Sequence, residues 1–247
     1  MQNSNDIGNI FSRSWQLLTS NWIIIVPGLV IGVVAGIASA FVTPPGSQLM
    51  YDPSSGLPIA VNPVTMLLRP VITTIATILA ITYATGMAGA AWRTGKATLN
   101  DGTTAFQRDA GNVFVAMIGM LILGIVAAAL APFTLGISLL AYAVFFLYTM
   151  AAAVVGEHPG FQALRESVLI ARHSLVTTLI VVLLIGVIAV VSGLLGVSLG
   201  FMPFIGPIAA EALQQVVVAF VTLVVVGEYL RLREPQSVAV SPSSPNR

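Results

Sequence analysis

Six long apolar stretches separated by short polar intervals dominate the pattern along this chain. They run over 22–42, 71–92, 113–131, 135–155, 175–199 and 208–227. Each is close to the 20 or so residues that a helix needs to cross a hydrocarbon core of about 30 Å. Lipid offers no partner to a backbone N–H or C=O, and the stretches lack the period-two alternation of a membrane barrel. The pattern therefore predicts an all-α, polytopic integral membrane protein with six transmembrane helices.

A second periodicity precedes the odd-numbered spans. Ile7, Ile10, Phe11, Trp15 and Leu18 share one helical face opposite Asn9, Arg13 and Gln16. This predicts an amphipathic helix over 6–20 lying in the cytoplasmic interface, with Phe11 and Trp15 as anchors. After Pro159, Phe161, Leu164 and Val168 oppose Gln162, Arg165, Glu166 and Arg172, with Phe161 as the anchor. A shorter helix is expected to start at the capping-box pattern Thr104 to Gln107. The order suggests three repeats of interfacial helix, span, outer turn and returning span. A shift of 91 residues brings Trp15 onto Phe106 and Asn21 onto Asn112, and a shift of 153 brings Ser14 onto Ser167 and Asn21 onto Ser174. Any amphipathic helix before a span would look similar, so shared ancestry and convergence both remain open.

Charge orients the spans. Of 247 residues, 57% are hydrophobic and only 8% charged, too few charges to solvate a soluble domain. The net charge of +1 leaves no overall attraction for nucleic acid, so placement is what matters. The connections 43–70, 132–134 and 200–207 contain one basic residue, Arg69, of the ten in the chain. The rest fall on the other side, with Arg93, Arg165 and Arg231 expected on one face. Basic loops are retained in the cytoplasm, so both termini are expected there, in a bacterial inner membrane. The polar first twenty residues lack a signal-peptide pattern despite Ala38-Ser39-Ala40, and the first span is expected to remain as an anchor. Residues 1–234 read as one membrane domain and 235–247 as a disordered tail.

Candidate chemistry is sparse. The chain has no cysteine, which excludes disulfides, thiolate catalysis and Cys-ligated zinc. Gly196-Val197-Ser198-Leu199-Gly200 matches a hydrolase nucleophile pattern, but it lies on a helix with His158 and His173 at the opposite membrane face. Ser192, Gly196 and Gly200 at four-residue spacing read better as a helix-packing strip, and Ala84, Gly86, Ala88 and Ala90 read the same way. Gly95-Lys96 lacks the first glycine and the Ser or Thr of a phosphate loop. Glu157, His158, Glu166 and His173 contain ligand types for a metal, but polar residues at helix ends are commoner, and no metal or other cofactor is expected. Pro27 is expected to kink the first span. Arg69 and Glu211 stand at the outer boundary, with Gln214 and Gln215 one turn deeper. They read either as an ion pair and hydrogen-bond cluster between the second and sixth helices, or as a substrate or headgroup site.

Three segments, FSRSWQLLTSN at Phe11–Asn21, GEHPGFQALRES at Gly156–Ser167 and GEYLRLRE at Gly227–Glu234, together resemble the membrane domain attached to some bacterial glycerophosphodiester phosphodiesterases and its free-standing relatives. The resemblance extends over nearly all the chain to Glu234. It implies a six-helix module linked to lipids or the envelope. In that family the hydrolase chemistry belongs to a separate soluble domain, for which no segment here has the length. The expectation is a noncatalytic module that interacts with membrane lipids, organises protein partners or self-associates. The alternatives are a small transporter or export subunit, and an intramembrane enzyme.

Overall fold

The computed structural model describes residues 4–42, 63–200 and 205–239, and among them every regular element is helical. The order is α1 (Ser4–Ser20), a 3₁₀ turn (Trp22–Ile24), α2 (Ile25–Val42), α3 (Pro63–Thr94), α4 (Leu99–Leu130), α5 (Ile137–Phe146), α6 (Thr149–Val154), α7 (Gly160–His173), α8 (Leu175–Gly200) and α9 (Ile205–Ala239). Four segments are long and apolar enough to cross a membrane: Leu99–Leu130, Ile137–Val154, Leu175–Leu199 and Ala212–Arg233. A fifth is counted if the bent pair Ile7–Ser20 and Trp22–Ala35 is one span. The chain is thus an all-helical protein with four to five helices of membrane-spanning length and hydropathy.

Several boundaries differ from the sequence expectations, each for a local reason. The first helical region turns by 87° between Ser20 and Trp22, not at Pro27. Pro27 is the third residue of α2, where its missing N–H is one that the helix leaves unbonded anyway. The third interfacial helix does not start at Thr104. Asp101 accepts the Thr98 backbone N–H and hydroxyl, both at 2.8 Å, so α4 begins after Thr98 and runs unbroken into the apolar stretch. The fourth span is interrupted at Leu147–Tyr148, between α5 and α6. Ser167 of α7 enters this break, accepting the Tyr148 N–H at 3.1 Å and donating to the Phe145 carbonyl at 2.8 Å. The expected tail begins inside α9, which continues through Pro235 to Ala239 with one backbone donor missing; residues 240–247 lie outside the described residues.

The packing has a recurring rule. Helices α3, α6 and α9 adjoin one another and supply most of the largest hydrophobic cluster, including Met87, Ala91, Ala152, Val154, Leu223 and Tyr229. α1 packs on α9, the first turns of α4 on α3, and α7 on α6. Ser14, Ala105 and Ser167 are all buried, with Ala105 against Gly86 of α3 and Ser167 in the α5–α6 break.

Glycines let the three core helices approach. A methyl group on Gly89 would meet Val155, one on Gly156 would meet the Tyr229 hydroxyl, and one on Gly227 would meet the Trp92 ring. α3 thus receives a side chain from the turn that follows α6, that turn receives one from α9, and α9 receives one from α3, which closes a cycle. The outer helices differ sharply: Leu183, Val187, Val190 and Leu194 of α8 are all more than half exposed. Such a surface is compatible with lipid and costly in water.

Candidate functional site

Charged side chains meet where α3 and α6 end, beside the early turns of α4 and the turn before α7. Arg93 Nη2 donates to the Val155 carbonyl at 3.0 Å, and Arg108 Nη2 donates to the Val154 carbonyl at 3.0 Å. These are last-turn carbonyls of α6, where the helix dipole favours cations. Arg108 also pairs with Glu157 at 2.7 Å and with Asp109 at 2.8 Å. Asp109 is almost wholly buried on the inner face of α4, whereas Glu157 is exposed and adopts a left-handed backbone, φ 59°. The arginine therefore neutralises a buried acid while tying α4 to the turn before α7. These contacts bring Arg93 of α3 and Arg108 of α4 together at the C-terminal end of α6, where Tyr229 of α9 lies over Gly156.

Glu228, one residue before Tyr229, has no exposed surface and pairs with Arg231 at 2.6 Å. The charges of both act on the Tyr148 hydroxyl, itself 3.3 Å from the Thr178 hydroxyl. A broken helix, two hydroxyls and a buried ion pair thus lie close together. Sequence reasoning passed over Glu228 and Asp109 because each sits in a charged stretch that reads as the solvated end of a span. The available signal was Gly-Glu followed by an aromatic ring, in Gly156-Glu157-His158 and Gly227-Glu228-Tyr229.

The amphipathic anchors have defined places. Phe220 of α9 receives Phe11 and Trp15 edge-on, at 6.0 and 5.9 Å between ring centres. Trp15 remains 55% exposed, and Arg13, also exposed, covers the Trp92 ring at 4.7 Å. Asn21 ties the bend to the α3–α4 link, donating to the Gly95 carbonyl at 3.2 Å and accepting the Ala97 N–H at 2.8 Å. Gly95, at φ 78°, ends α3, which is why it precedes Lys96 without forming a phosphate loop. Phe161 is 64% exposed yet lies against Gly119 of α4.

The outer polar cluster is only partly visible. The backbones of Arg69 and Glu211 lie in α3 and α9, and their side chains fall outside the described residues, as does the pairing expected between them. Gln215 packs onto Gly28 of α2, so tightly that a methyl group there would collide with its amide oxygen, while Gln214 is exposed. On α8, Ser192 is buried and donates to the Ala189 carbonyl at 3.0 Å, Gly196 is half-buried, and the surroundings of Gly200 lie outside the described residues. Of the second small-residue strip, Ala84 and Ala88 are buried and Gly86 meets α4. Ser198 donates to the Leu194 carbonyl at 2.9 Å.

Among the described residues no three His, Asp or Glu side chains gather as a metal would require. Glu157 is engaged by Arg108, and His173 Nδ1 faces the Leu169 carbonyl at 2.8 Å. No family model, curated protein or solved structure matches the chain.

Proposed function

We propose that this chain is a noncatalytic membrane module of the bacterial inner membrane that binds lipid and organises partners at its cytoplasmic end. The observation that carries this reading is the recurring lead-in helix, packed on a returning helix and presenting exposed aromatic and cationic side chains outward. On α1 and α7, Trp15 and Phe161 are each more than half exposed and Arg13, Arg165 and Arg172 are exposed; Trp22 and Lys96 are exposed in the adjoining turns. Aromatic rings with cations suit the headgroup layer, which neither bulk water nor hydrocarbon matches. In this reading α2, α3, α4 from Val113, the α5–α6 pair, α8 and α9 are six spans, and both termini are cytoplasmic. The resemblance to the phosphodiesterase-associated membrane domain points the same way. Mild detergent extraction tests it: lipid or a specific partner should remain through size-exclusion chromatography. Loss of both from a folded sample rejects the reading.

The α5–α6 break favours one second reading, a transporter. Interrupted spans beside ionisable groups mark many transport sites. Here the break is filled by Ser167, and the three core helices close on one another through Gly89, Gly156 and Gly227. A polar cavity reaching from Tyr148 toward Gln215 in an experimentally determined second conformation would favour transport over the module.

A further inference from the structure

The exposed face of α7 identifies one lipid site more closely. Phe161, Arg165, Leu169 and Arg172 follow at intervals of four, four and three residues and are all exposed, so they form one stripe. The opposite face, with Ala163, Leu164, Ser167 and Ile170, is buried. Apolar and cationic positions alternate along the outward stripe. A helix facing only water has no need for an exposed Phe161, and one facing only acyl chains would not expose two arginines.

The depth of the stripe follows from its neighbours. A methyl group on Gly160 would meet Val115, and one on Gly119 would meet Leu164 and Phe161. α7 therefore starts beside the first two turns of the apolar part of α4, among exposed side chains such as Phe114 and Ile118. It ends by passing directly into α8, the most exposed of the candidate spans. Both ends of α7 thus adjoin apolar surface, and the guanidinium groups stand at its edge.

Charge selects the occupant. Glu166 is half-buried, and its charge acts on Tyr229, on the α9 side. Among the described residues neither Arg165 nor Arg172 has a carboxylate within ion-pair distance. We propose that the Phe161–Arg165–Leu169–Arg172 stripe binds an anionic phospholipid, with the arginines on its phosphodiester headgroup and its acyl chain along Phe161 and the exposed flank of α4. The proposal rests on the lipid-binding reading above and names the lipid class and the place.

The test uses the full chain in vesicles containing equal amounts of phosphatidylglycerol and phosphatidylcholine. The ratio of the two lipids retained after mild extraction is read by native mass spectrometry. The wild type should enrich phosphatidylglycerol. The pair Arg165→Gln and Arg172→Gln should lower that enrichment by roughly twenty-five-fold, from about fivefold per arginine, at unchanged thermal midpoint. Arg165→Lys with Arg172→Lys should retain most of the enrichment. Equal enrichment in the wild type and the Gln pair overturns the α7 site and leaves the lipid-binding module standing, whichever acidic group the arginines then meet. Retention of neither lipid by the folded wild type rejects the broader reading as well.

Discussion

At the residue scale, two carboxylates are held in very different ways by one arginine. Asp109 is buried, and Arg108 supplies its counter-charge together with a hydrogen bond, while Glu157 reaches the same guanidinium from solvent. Removing the cation strands Asp109, and an uncompensated buried acceptor costs about 1–3 kcal/mol. Removing the charge of Glu157 costs at most about 1 kcal/mol, because an exposed pair is screened. Arg108→Gln is therefore expected to lower the thermal midpoint in detergent clearly, and Glu157→Gln to leave it almost unchanged. Equal effects would show that the bridge to the turn, not the buried acid, is the important contact. The core glycines make a second case. Gly227, inside α9, lies under the Trp92 ring, which is held by packed helices. Gly→Ala in an ordinary helix interior gains stability through propensity. Here overpacking opposes that gain, at about 1–3 kcal/mol. Gly227→Ala should lower the midpoint, whereas Gly193→Ala, with open space around it, should leave it unchanged or raise it.

At the element scale, the apolar runs announced where helices would form, because length and hydropathy need no knowledge of neighbours. Four or five of them have spanning character, and helices occupy all six of the expected stretches. What the runs could not announce depends on tertiary partners. Nothing in ISLLAYAVFFLYTMAAAV marks a break at Leu147–Tyr148, since Ser167, nineteen residues after Tyr148, makes the break affordable in hydrogen bonds. Pro27 looked like a kink, yet the bend belongs to Asn21, whose side chain bonds the α3–α4 link. The outer cluster was read from depth alone, and of it only the packing of Gln215 on Gly28 is visible. Two substitutions follow from these partners. Ser167→Ala removes both bonds that hold the α5–α6 break, with an expected cost of about 1–3 kcal/mol. The nearby amides of Tyr148 and Thr149 should then exchange hydrogen faster, while those of α4 stay protected. Asn21→Ala should similarly release α1, seen as faster exchange over Phe11 to Ser20.

At the scale of the whole molecule, the cycle of α3, α6 and α9 gives the bundle two unlike ends. One gathers the arginine contacts to Val154 and Val155, the Glu228–Arg231 pair and the starts of α4 and α7. The other carries the turn between α4 and α5, where Phe133 is 85% exposed. Along α4, Leu130 is 22 residues beyond Arg108, or about 33 Å at 1.5 Å per residue. That exceeds a hydrocarbon core of about 30 Å, long enough to set the two ends on opposite sides of a bilayer. Basic side chains are concentrated at the first end, which should remain in the cytoplasm on insertion. The absence of cysteine makes this directly measurable, because one introduced thiol is the sole reactive site. In intact cells a membrane-impermeant maleimide should label Phe133→Cys and should reach Lys96→Cys only after permeabilisation. Both side chains are exposed, so a difference between them reports sidedness and not burial. Labelling of Lys96→Cys in sealed cells, with Phe133→Cys protected, would invert the topology and move the α7 stripe to the outer leaflet. Phosphatidylglycerol selectivity at that stripe could then persist, but it would concern a different population of lipid.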